Sequence, residues 1–266
     1  MRILIIGGGN MGLTFAKSFL STHIVSAEEL YILEKSAEKA EDLKNQDVGT
    51  VFGEPGPWIS EVDLSILAVK PQDAYDVFPK LKPFIDPQQV ILSIMAGVTI
   101  QTISQALGAT KIVRAMPNLP AQIGVGMTVY TSADEVTRIE LVMVQNLVNA
   151  TGKAIYVENE SSIDAATAVS GSGPAYVFYF MQGLIEAAED LGFTRAEAEL
   201  LSYQTFKGAV DLFNKSSLTC EQWIKMVMSK GGTTEAAFDH FTATGTKENF
   251  KSGVQKAFNR AQELGR

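Results

Sequence analysis

The sequence predicts an α/β domain built on a doubly wound parallel sheet, followed by an all-helical domain. Three observations predict this fold. A run of four aliphatic residues at 3–6 leads directly into a glycine-rich turn. Short apolar runs then alternate with helical stretches up to about residue 160, which is the pattern of a parallel sheet with crossover helices. Beyond that point helix-start signals recur and runs typical of strands are absent.

The glycines of the first turn have the spacing of a nucleotide-binding motif. Gly7, Gly9 and Gly12 fit G-x-G-x-x-G: the first glycine allows a tight turn, the second lets a pyrophosphate approach the backbone, and the third lets helix and strand pack closely. The residues after Gly12 have helical spacing, so a helix start would point free N–H groups at the phosphates. A second apolar run ends at Glu34, about 20 residues beyond Gly12, where Rossmann-type domains place a ribose-binding acid. The alternative is a glycine turn without a ligand.

The other elements of the first domain follow in alternation. A surface helix is predicted at 36–45, where Ala, Glu and Lys dominate, and residues 53–57 form a turn-rich loop. The later strands are predicted at 62–69, 90–94, 111–115, 126–131 and 153–157, and the later helices at 74–81, 100–107 and 134–149. We place this domain at residues 1–160.

Small residues and prolines follow the predicted strands where each strand ends. In an open α/β sheet, ligands bind at the carboxyl edge of the strands, and small residues let a flat cofactor lie against the backbone. We therefore expect the cofactor to contact strand-end residues, namely Gly7, Gly9, Asn10, Met11, Gly12, Glu34, Lys35, Ala68, Val69, Lys70, Pro71, Ala96, Gly97 and Asn118. The alternative is a series of ordinary turns between strands and helices, which also favour Gly and Pro.

The second domain is placed at residues 161–266. Ser161, Thr194 and Thr219 lie at helix starts, the last two with the Glu or Gln of a capping box three residues later. From 250 to 264, apolar residues recur at helical spacing on one face.

A glycine-threonine loop precedes a short helix at 235–241. Exposed N–H groups, hydroxyls and a helix start suit a small anion such as a carboxylate. The residues expected to bind it are Ser229, Gly231, Gly232, Thr233 and Thr234. A plain loop with a threonine cap is the alternative.

Charge and cysteine content exclude several classes of function. The net charge of −8 disfavours nucleic-acid or anionic-membrane binding, because neither polyanion is attracted to an acidic surface. Cys220 is the only cysteine, so we expect no internal disulfide and a cytoplasmic protein. With only two histidines besides, we expect no metal site.

Residues 165–185 are uncharged, but their glycines, proline and polar residues favour a buried helix at a domain or subunit contact over a membrane span.

Six blocks of the sequence together resemble the pyrroline-5-carboxylate reductase family. They are GGGNMG at 7–12, AVKPQ at 68–72, SIMAG at 93–97, RAMPN at 114–118, SGSGPAY at 170–176 and GGTT at 231–234. The resemblance implies hydride transfer from NADH or NADPH to the ring C=N of 1-pyrroline-5-carboxylate, giving L-proline in the last step of proline biosynthesis. It also implies a homodimer through the helical domain, which a larger ring can incorporate. It places Thr167 near the substrate nitrogen as a hydrogen-bond partner; the alternative is a threonine bonded to its own helix.

Reduction of an imine agrees with the distribution of basic residues. The substrate nitrogen can already carry its proton, so hydride can add to a cation without an enzymic acid strong enough to protonate an alkoxide. No lysine lies between Lys153 and Lys207, where a hydroxy-acid dehydrogenase of similar plan would offer a general acid. Catalysis would then rest mainly on positioning and electrostatic preorganisation.

The choice between NADH and NADPH depends on three neighbouring residues with opposite tendencies. Glu34 can accept hydrogen bonds from both ribose hydroxyls of NADH and would repel a 2′-phosphate, whereas Lys35 and Ser36 could hold that phosphate. Many relatives carry a small polar residue followed by Arg here. We favour NADH on the position of Glu34.

Two other functions stay open at this point. Lys230 stands where the family usually has proline, beside the expected carboxylate site, which raises the possibility of another cyclic imine or a keto acid as substrate. A nucleotide-sensing protein without turnover is the other alternative, and the intact glycine-threonine loop argues against it.

Overall fold

The computed structural model describes residues 1–264, and residues 3–156 contain one eight-stranded sheet. The strands are β1 Ile3–Ile6, β2 Leu30–Leu33, β3 Thr50–Phe52, β4 Leu64–Leu67, β5 Val90–Ser93, β6 Ile112–Met116, β7 Gly126–Ser132 and β8 Gly152–Tyr156. Their order in the sheet is β3-β2-β1-β4-β5-β6-β7-β8. The chain crosses from one side of β1 to the other between β3 and β4, which creates the switch point where doubly wound sheets bind ligands.

The described α-helices follow the predicted alternation and continue to residue 264. They are α1 Asn10–Ser21, α2 Ala37–Asn45, α3 Pro71–Leu81, α4 Ile100–Leu107, α5 Arg138–Asn149, α6 Ser161–Ala166, α7 Gly173–Asp190, α8 Arg195–Asn214, α9 Cys220–Val227, α10 Thr233–Ala243 and α11 Thr246–Leu264. The capping boxes predicted at Thr194 and Thr219 are both present. Helix α5 starts later than the predicted residue 134, because Thr137 and Glu140 form a further capping box.

Both faces of the sheet are apolar, and each is covered by helices. Ile3 and Ile5 of β1 pack in a core with Phe15 and Phe19 of α1. The alternate β1 residues, Leu4 and Ile6, belong to a second core that includes residues of α3 and α4. Because side chains alternate along a strand, an uninterrupted aliphatic run supplies both faces, as expected for a buried parallel strand.

One direction in the sheet differs from the all-parallel prediction. Strands β1 to β6 all run in the same direction. Strand β7 pairs antiparallel with β6, with Val113 opposite Ser132. A parallel connection requires a crossover of a dozen or more residues, whereas only residues 117–125 link β6 to β7. Helix α5 then provides a full crossover, so β8 is parallel to β7.

Strand β3 was not predicted from the sequence. Its three residues pair with β2, Tyr31 opposite Thr50 and Leu33 opposite Phe52. The β-branched and aromatic run Thr50–Phe52 followed by glycine was the available signal. This strand carries the turn-rich loop that begins at Gly53 to the same edge as Gly7.

The described chain divides into two compact units, one of residues 1–173 with 257–264 and the other of residues 174–256. The boundary between residues 160 and 161 stays a prediction. The second unit is helical and exposes many large apolar side chains, among them Phe178, Tyr179, Leu191 and Leu200. Between Met1 and Leu264 the structure has no helix with the length and apolar character to cross a membrane.

Candidate active site

The glycine turn after β1 is closely packed at two of its three motif glycines. Gly7 has φ +105°, and a Cβ there would lie 2.9 Å from the carbonyl oxygen of Ala68. A Cβ on Gly12 would overlap the carbonyl oxygen of Gly7. By contrast, a Cβ on Gly9 would have no atom within 4 Å. The space above Gly9 is therefore open, as required if a phosphate group approaches the backbone there.

Helix α1 directs its amino terminus at this open space. Gly9 is its N-cap, and the first intrahelical bond runs from the N–H of Leu13 to the carbonyl of Gly9, at 2.9 Å. The N–H groups of the first turn have no acceptor within the helix, and the helix dipole adds partial positive charge. These two properties together make an anion site.

Glu34 directly follows β2 beside the glycine turn, and the residue is only 8% exposed. One carboxylate oxygen accepts from the N–H of Gly8 at 3.0 Å, and the other accepts from the N–H of Ser36 at 2.9 Å. Backbone pairing continues to this residue, because its own N–H donates to the carbonyl of Phe52. Glu34 therefore ties the glycine turn to the start of α2 and is not a surface residue.

A cavity of about 510 Å³ opens above the switch point. It brings together half of the residues predicted to bind the cofactor: Gly7, Gly9, Glu34, Lys35, Ala68, Val69 and Lys70. The others do not line it. Asn10, Met11 and Gly12 lie in the first turn of α1, Pro71 begins α3, Ala96 and Gly97 follow β5, and Asn118 follows β6. For these residues a role in binding the cofactor stays a prediction.

The cavity also has walls that sequence reasoning missed. The loop Gly53–Pro55 lines it from the end of β3, and Asp73, Asp76, Val77 and Lys80 line it from α3. The spacing of these four α3 residues could have indicated a shared wall, since residues three or four apart lie on one face of a helix.

Charges of both signs surround this cavity. Lys35 pairs with Asp73 at 3.1 Å, and its side chain is largely exposed. Lys39 and Lys80 also line the cavity, and neither forms an ion pair with a residue of the described chain. Exposed cations beside a helix start and an open glycine turn suit a ligand with several phosphates.

The lining residues fit a nicotinamide dinucleotide. The open space above Gly9 accommodates a pyrophosphate, the α1 start supplies donors, and the Glu34 carboxylate has lone pairs left for ribose hydroxyls after accepting two N–H groups. Ala68 and Val69 offer a small apolar wall at the end of β4.

A further predicted site residue, Thr167, lies in the turn that follows α6. Residues Thr167–Gly171 form a π-turn after α6, closed by the N–H of Ser172 on the carbonyl of Thr167 at 2.9 Å. The Thr167 hydroxyl donates to the carbonyl of Ile163 at 2.8 Å, which is the bond to its own helix considered as the alternative. That bond uses its proton and leaves its oxygen able to accept another. The role of Thr167 at the substrate stays a prediction; π-turns are frequent at functional sites.

A buried arginine anchors the helix that leads into this turn. Arg114 of β6 is 1% exposed and donates to Asp164 at 2.7 Å and to Glu160 at 3.0 Å. The same Glu160 oxygen accepts from the N–H of Ile100 at the start of α4. The ion pairs hold α6 against the sheet, since breaking a buried charge pair leaves an uncompensated charge.

The glycine-threonine loop of the second unit has fewer free donors than the sequence suggested. Gly231 has φ +73°, and its N–H is taken by the Glu235 side chain at 2.5 Å. The N–H of Gly232 donates to the carbonyl of Ser229 at 2.9 Å. Helix α10 begins at Thr233, so the donors left for an anion include the N–H groups and hydroxyls of Thr233 and Thr234, together with the hydroxyl of Ser229.

The doubly wound sheet, with a glycine turn and the Glu34 carboxylate at its switch point, has the architecture of dinucleotide-dependent oxidoreductases. Residues 2–97 match the family model "NADP oxidoreductase coenzyme F420-dependent", and residues 160–264 match "Pyrroline-5-carboxylate reductase dimerisation". A pyrroline-5-carboxylate reductase from Pseudomonas aeruginosa is 34% identical over 99% of this chain and 96% of its own length. The chain belongs to the pyrroline-5-carboxylate reductase family.

Solved structures of the family share the fold over their full length. A pyrroline-5-carboxylate reductase from Coxiella burnetii has a TM-score of 0.88 and 32% identity, with 100% of this chain and 98% of that chain covered. A pyrroline carboxylate reductase from Plasmodium falciparum, determined with NADP bound, has a TM-score of 0.91 and 27% identity over the same shares.

Proposed function

We propose that this protein reduces 1-pyrroline-5-carboxylate to L-proline with a reduced nicotinamide dinucleotide. The observation that carries the proposal is similarity over the full length to a relative named for this reaction. The cavity above Gly9 supports it with a built site for a dinucleotide. When bound, the reduced nicotinamide supplies the hydride. The C=N carbon accepts it, the π pair of that bond becomes the nitrogen lone pair, and the proton already on nitrogen stays there.

Thr167 suits the nitrogen of a protonated imine. Its hydroxyl proton is donated to Ile163, so toward a ligand its oxygen acts as an acceptor. A protonated ring nitrogen carries an N–H donor and a positive charge, and an acceptor at hydrogen-bond distance favours that form. This polarity holds the substrate in the state to which hydride adds most readily.

Thr233 and Thr234 suit the carboxylate of the substrate. Both lie in the first turn of α10, where free N–H groups and the helix dipole favour an anion. Gly231 and Gly232 then serve to shape the loop, because their N–H groups are already bonded within it, and the Ser229 hydroxyl is a further donor for the carboxylate. Lys230 adds a positive charge in the same loop.

NADH is the preferred cofactor in this proposal. The buried Glu34 carboxylate lines the cavity and faces any 2′-phosphate with like charge. Lys35, which would offset that repulsion, is paired with Asp73. Lys39 is the cation that favours NADPH, so the preference is expected to be modest.

Assembly and location complete the proposal. Residues 160–264 match a dimerisation model, and the exposed apolar side chains of residues 174–256 support a homodimer through this region. A ring of dimers is the larger assembly we consider. The single cysteine, Cys220, is free and supports a reducing cytoplasm.

An absorbance assay at the reduced-nicotinamide band tests the function. The purified protein is mixed with 1-pyrroline-5-carboxylate and, in separate runs, NADH or NADPH. We expect oxidation of cofactor and formation of proline with both, and a higher kcat/KM for NADH. Six-membered cyclic imines and keto acids are run in parallel. Faster turnover of one of these compounds would identify it as the substrate instead of 1-pyrroline-5-carboxylate. Cofactor binding without any turnover would identify the protein as a nucleotide sensor.

A further inference from the structure

The helix that follows the sheet is interrupted at residue 172, and the interruption deprives one carbonyl of its usual partner. In a continuous α-helix the carbonyl of residue 170 accepts from the N–H of residue 174. Residue 174 is proline, which has no N–H. The preceding turn, Thr167–Gly171, is a π-turn, and α7 begins again at Gly173. The carbonyl of Ser170 therefore needs a donor from elsewhere, since a half-buried polar group without a partner costs free energy.

The carboxamide of Asn118 supplies that donor. Its Nδ2 donates to the Ser170 carbonyl at 3.0 Å, and its Oδ1 accepts from the N–H of Met127 at 2.8 Å. The two backbone groups determine which way the amide points, because a backbone N–H can only donate and a carbonyl can only accept. Asn118 follows β6 and Met127 lies in β7, so one side chain joins the π-turn to two strands.

The π-turn also lies close against the sheet beside this bond. A Cβ on Gly171 would be 2.8 Å from Cε of Met116, the last residue of β6. Helix α6, just before the turn, is held by the ion pairs of Arg114. The segment is thus fixed at its start by Arg114 and at its end by Asn118, with Thr167 between the two anchors.

We propose that Asn118 is a positioning residue for the reaction: it holds the π-turn against β6 and β7 and thereby places the Thr167 hydroxyl. This inference rests on the proposed role of Thr167 at the substrate nitrogen. It differs from the predicted role in cofactor binding, since the two bonds that orient the Asn118 carboxamide go to the protein backbone. One N–H and one lone pair of the amide are left over, so the Kd for NADH separates the two roles.

Two variants of Asn118 and a matched control test the proposal. Asn118→Ala removes both bonds, and Asn118→Asp keeps the acceptor for Met127 but turns a carboxylate oxygen toward the Ser170 carbonyl. Gln89→Ala is the control, since the buried Gln89 amide likewise joins backbone groups, the carbonyls of Ile59 and Val62. We expect kcat to fall about a hundredfold in both Asn118 variants, the scale of a misplaced catalytic group. We expect the Kd for NADH to be unchanged in both Asn118 variants. In Gln89→Ala we expect a normal kcat, with a loss of Tm comparable to that of the Asn118 variants.

Two further readouts separate positioning from stability. Amide hydrogen exchange of peptides covering residues 163–173 should accelerate in the Asn118 variants and not in Gln89→Ala. The double variant Asn118→Ala with Pro174→Ala restores an N–H for the Ser170 carbonyl within the helix. We expect it to regain Tm but not kcat, because the carbonyl is then satisfied by a continuous helix that no longer holds the π-turn on the sheet.

Three outcomes would overturn the inference. Recovery of kcat together with Tm in the double variant would make the bond merely structural. A rise in the Kd for NADH matching the fall in kcat would assign Asn118 to the cofactor. Unchanged amide hydrogen exchange at residues 163–173 in the Asn118 variants would show that Asn118 does not hold the π-turn on the sheet. A wild-type protein that binds NADH but reduces no imine would refute the proposed function alone, since the exchange and Tm measurements do not depend on turnover.

Discussion

Alanine at Gly12 and alanine at Gly9 should separate folding from cofactor binding within one motif. A Cβ on Gly12 would overlap the Gly7 carbonyl oxygen and lie 3.1 Å from Cγ2 of Ile5. The obstructing oxygen belongs to the backbone of a buried turn and cannot rotate away. Overpacking of this kind costs about 1–3 kcal/mol, and contact with backbone places Gly12→Ala at about 3 kcal/mol of lost unfolding free energy.

At Gly9 the expected loss is of cofactor affinity, with little change in stability. A Cβ there meets no atom within 4 Å, and φ −73° with ψ −174° is backbone that alanine adopts freely. Reduced freedom of the unfolded chain stabilises by about 0.4–1 kcal/mol. Alanine is a poorer N-cap than glycine by a similar amount, so the net change is about zero. The added methyl group fills the space above the turn, and we expect NADH to bind about a hundredfold more weakly, about 2.8 kcal/mol.

Urea unfolding without cofactor and fluorescence titration with NADH measure the two quantities on the same samples. Wild-type affinity in Gly9→Ala would show that no phosphate approaches that residue. Wild-type stability in Gly12→Ala would show that the approach of α1 to β1 does not constrain the fold. Either result would refute the assignment of separate roles to the motif glycines.

Three further changes have definite expected results. Thr234→Ala should raise KM for 1-pyrroline-5-carboxylate about tenfold or more, since a hydrogen bond to a charged group is worth about 1.5–3 kcal/mol, and should leave the Kd for NADH unchanged; an unchanged KM in steady-state assays would place the substrate carboxylate elsewhere. Glu34→Ser should shift the ratio of kcat/KM toward NADPH, and a ratio that does not move would remove Glu34 from cofactor choice. Glu140→Gln tests a pH dependence: burial acts to raise the pKa of Glu140, but hydrogen bonds from Lys111 and Thr137 outweigh it and lower the pKa below 4.5. The ionised Glu140 therefore stabilises the fold by up to about 1 kcal/mol above pH 4.5, and this stabilisation is lost as the pH falls through the lowered pKa. In urea unfolding, the difference in free energy of unfolding between wild type and Glu140→Gln should disappear in acid.

Local patterns in the sequence were sufficient for the plan of the fold. Ile3–Ile6 predicts a strand buried on both faces, because an uninterrupted aliphatic run matches a two-sided core. Gly7, Gly9 and Gly12 predict the turn and the phosphate site, because each glycine meets a steric condition set within its own βα unit. Thr194 and Thr219 predict helix starts for the same reason, since a capping box closes within four residues.

The walls of the cavity required the tertiary structure. The direction of β7 did not, because the strands predicted at 111–115 and 126–131 already leave too few residues between them for a parallel crossover. The loop Gly53–Pro55 and Asp73 reach the cavity only because β3 and α3 are placed on either side of the switch point. No pattern within either segment specifies that placement.

Side-chain partners distant in the sequence show the same division. The sequence itself determined that Glu34 and Asn118 each follow a strand, because both positions are set by neighbouring residues. Only the folded chain decided that Glu34 would hold the N–H of Gly8, 26 residues away, and that Asn118 would hold the carbonyl of Ser170, 52 residues away. These side chains bond to backbone groups that lack a partner once the strands and helices have packed. Which groups those are depends on the packing of the whole chain.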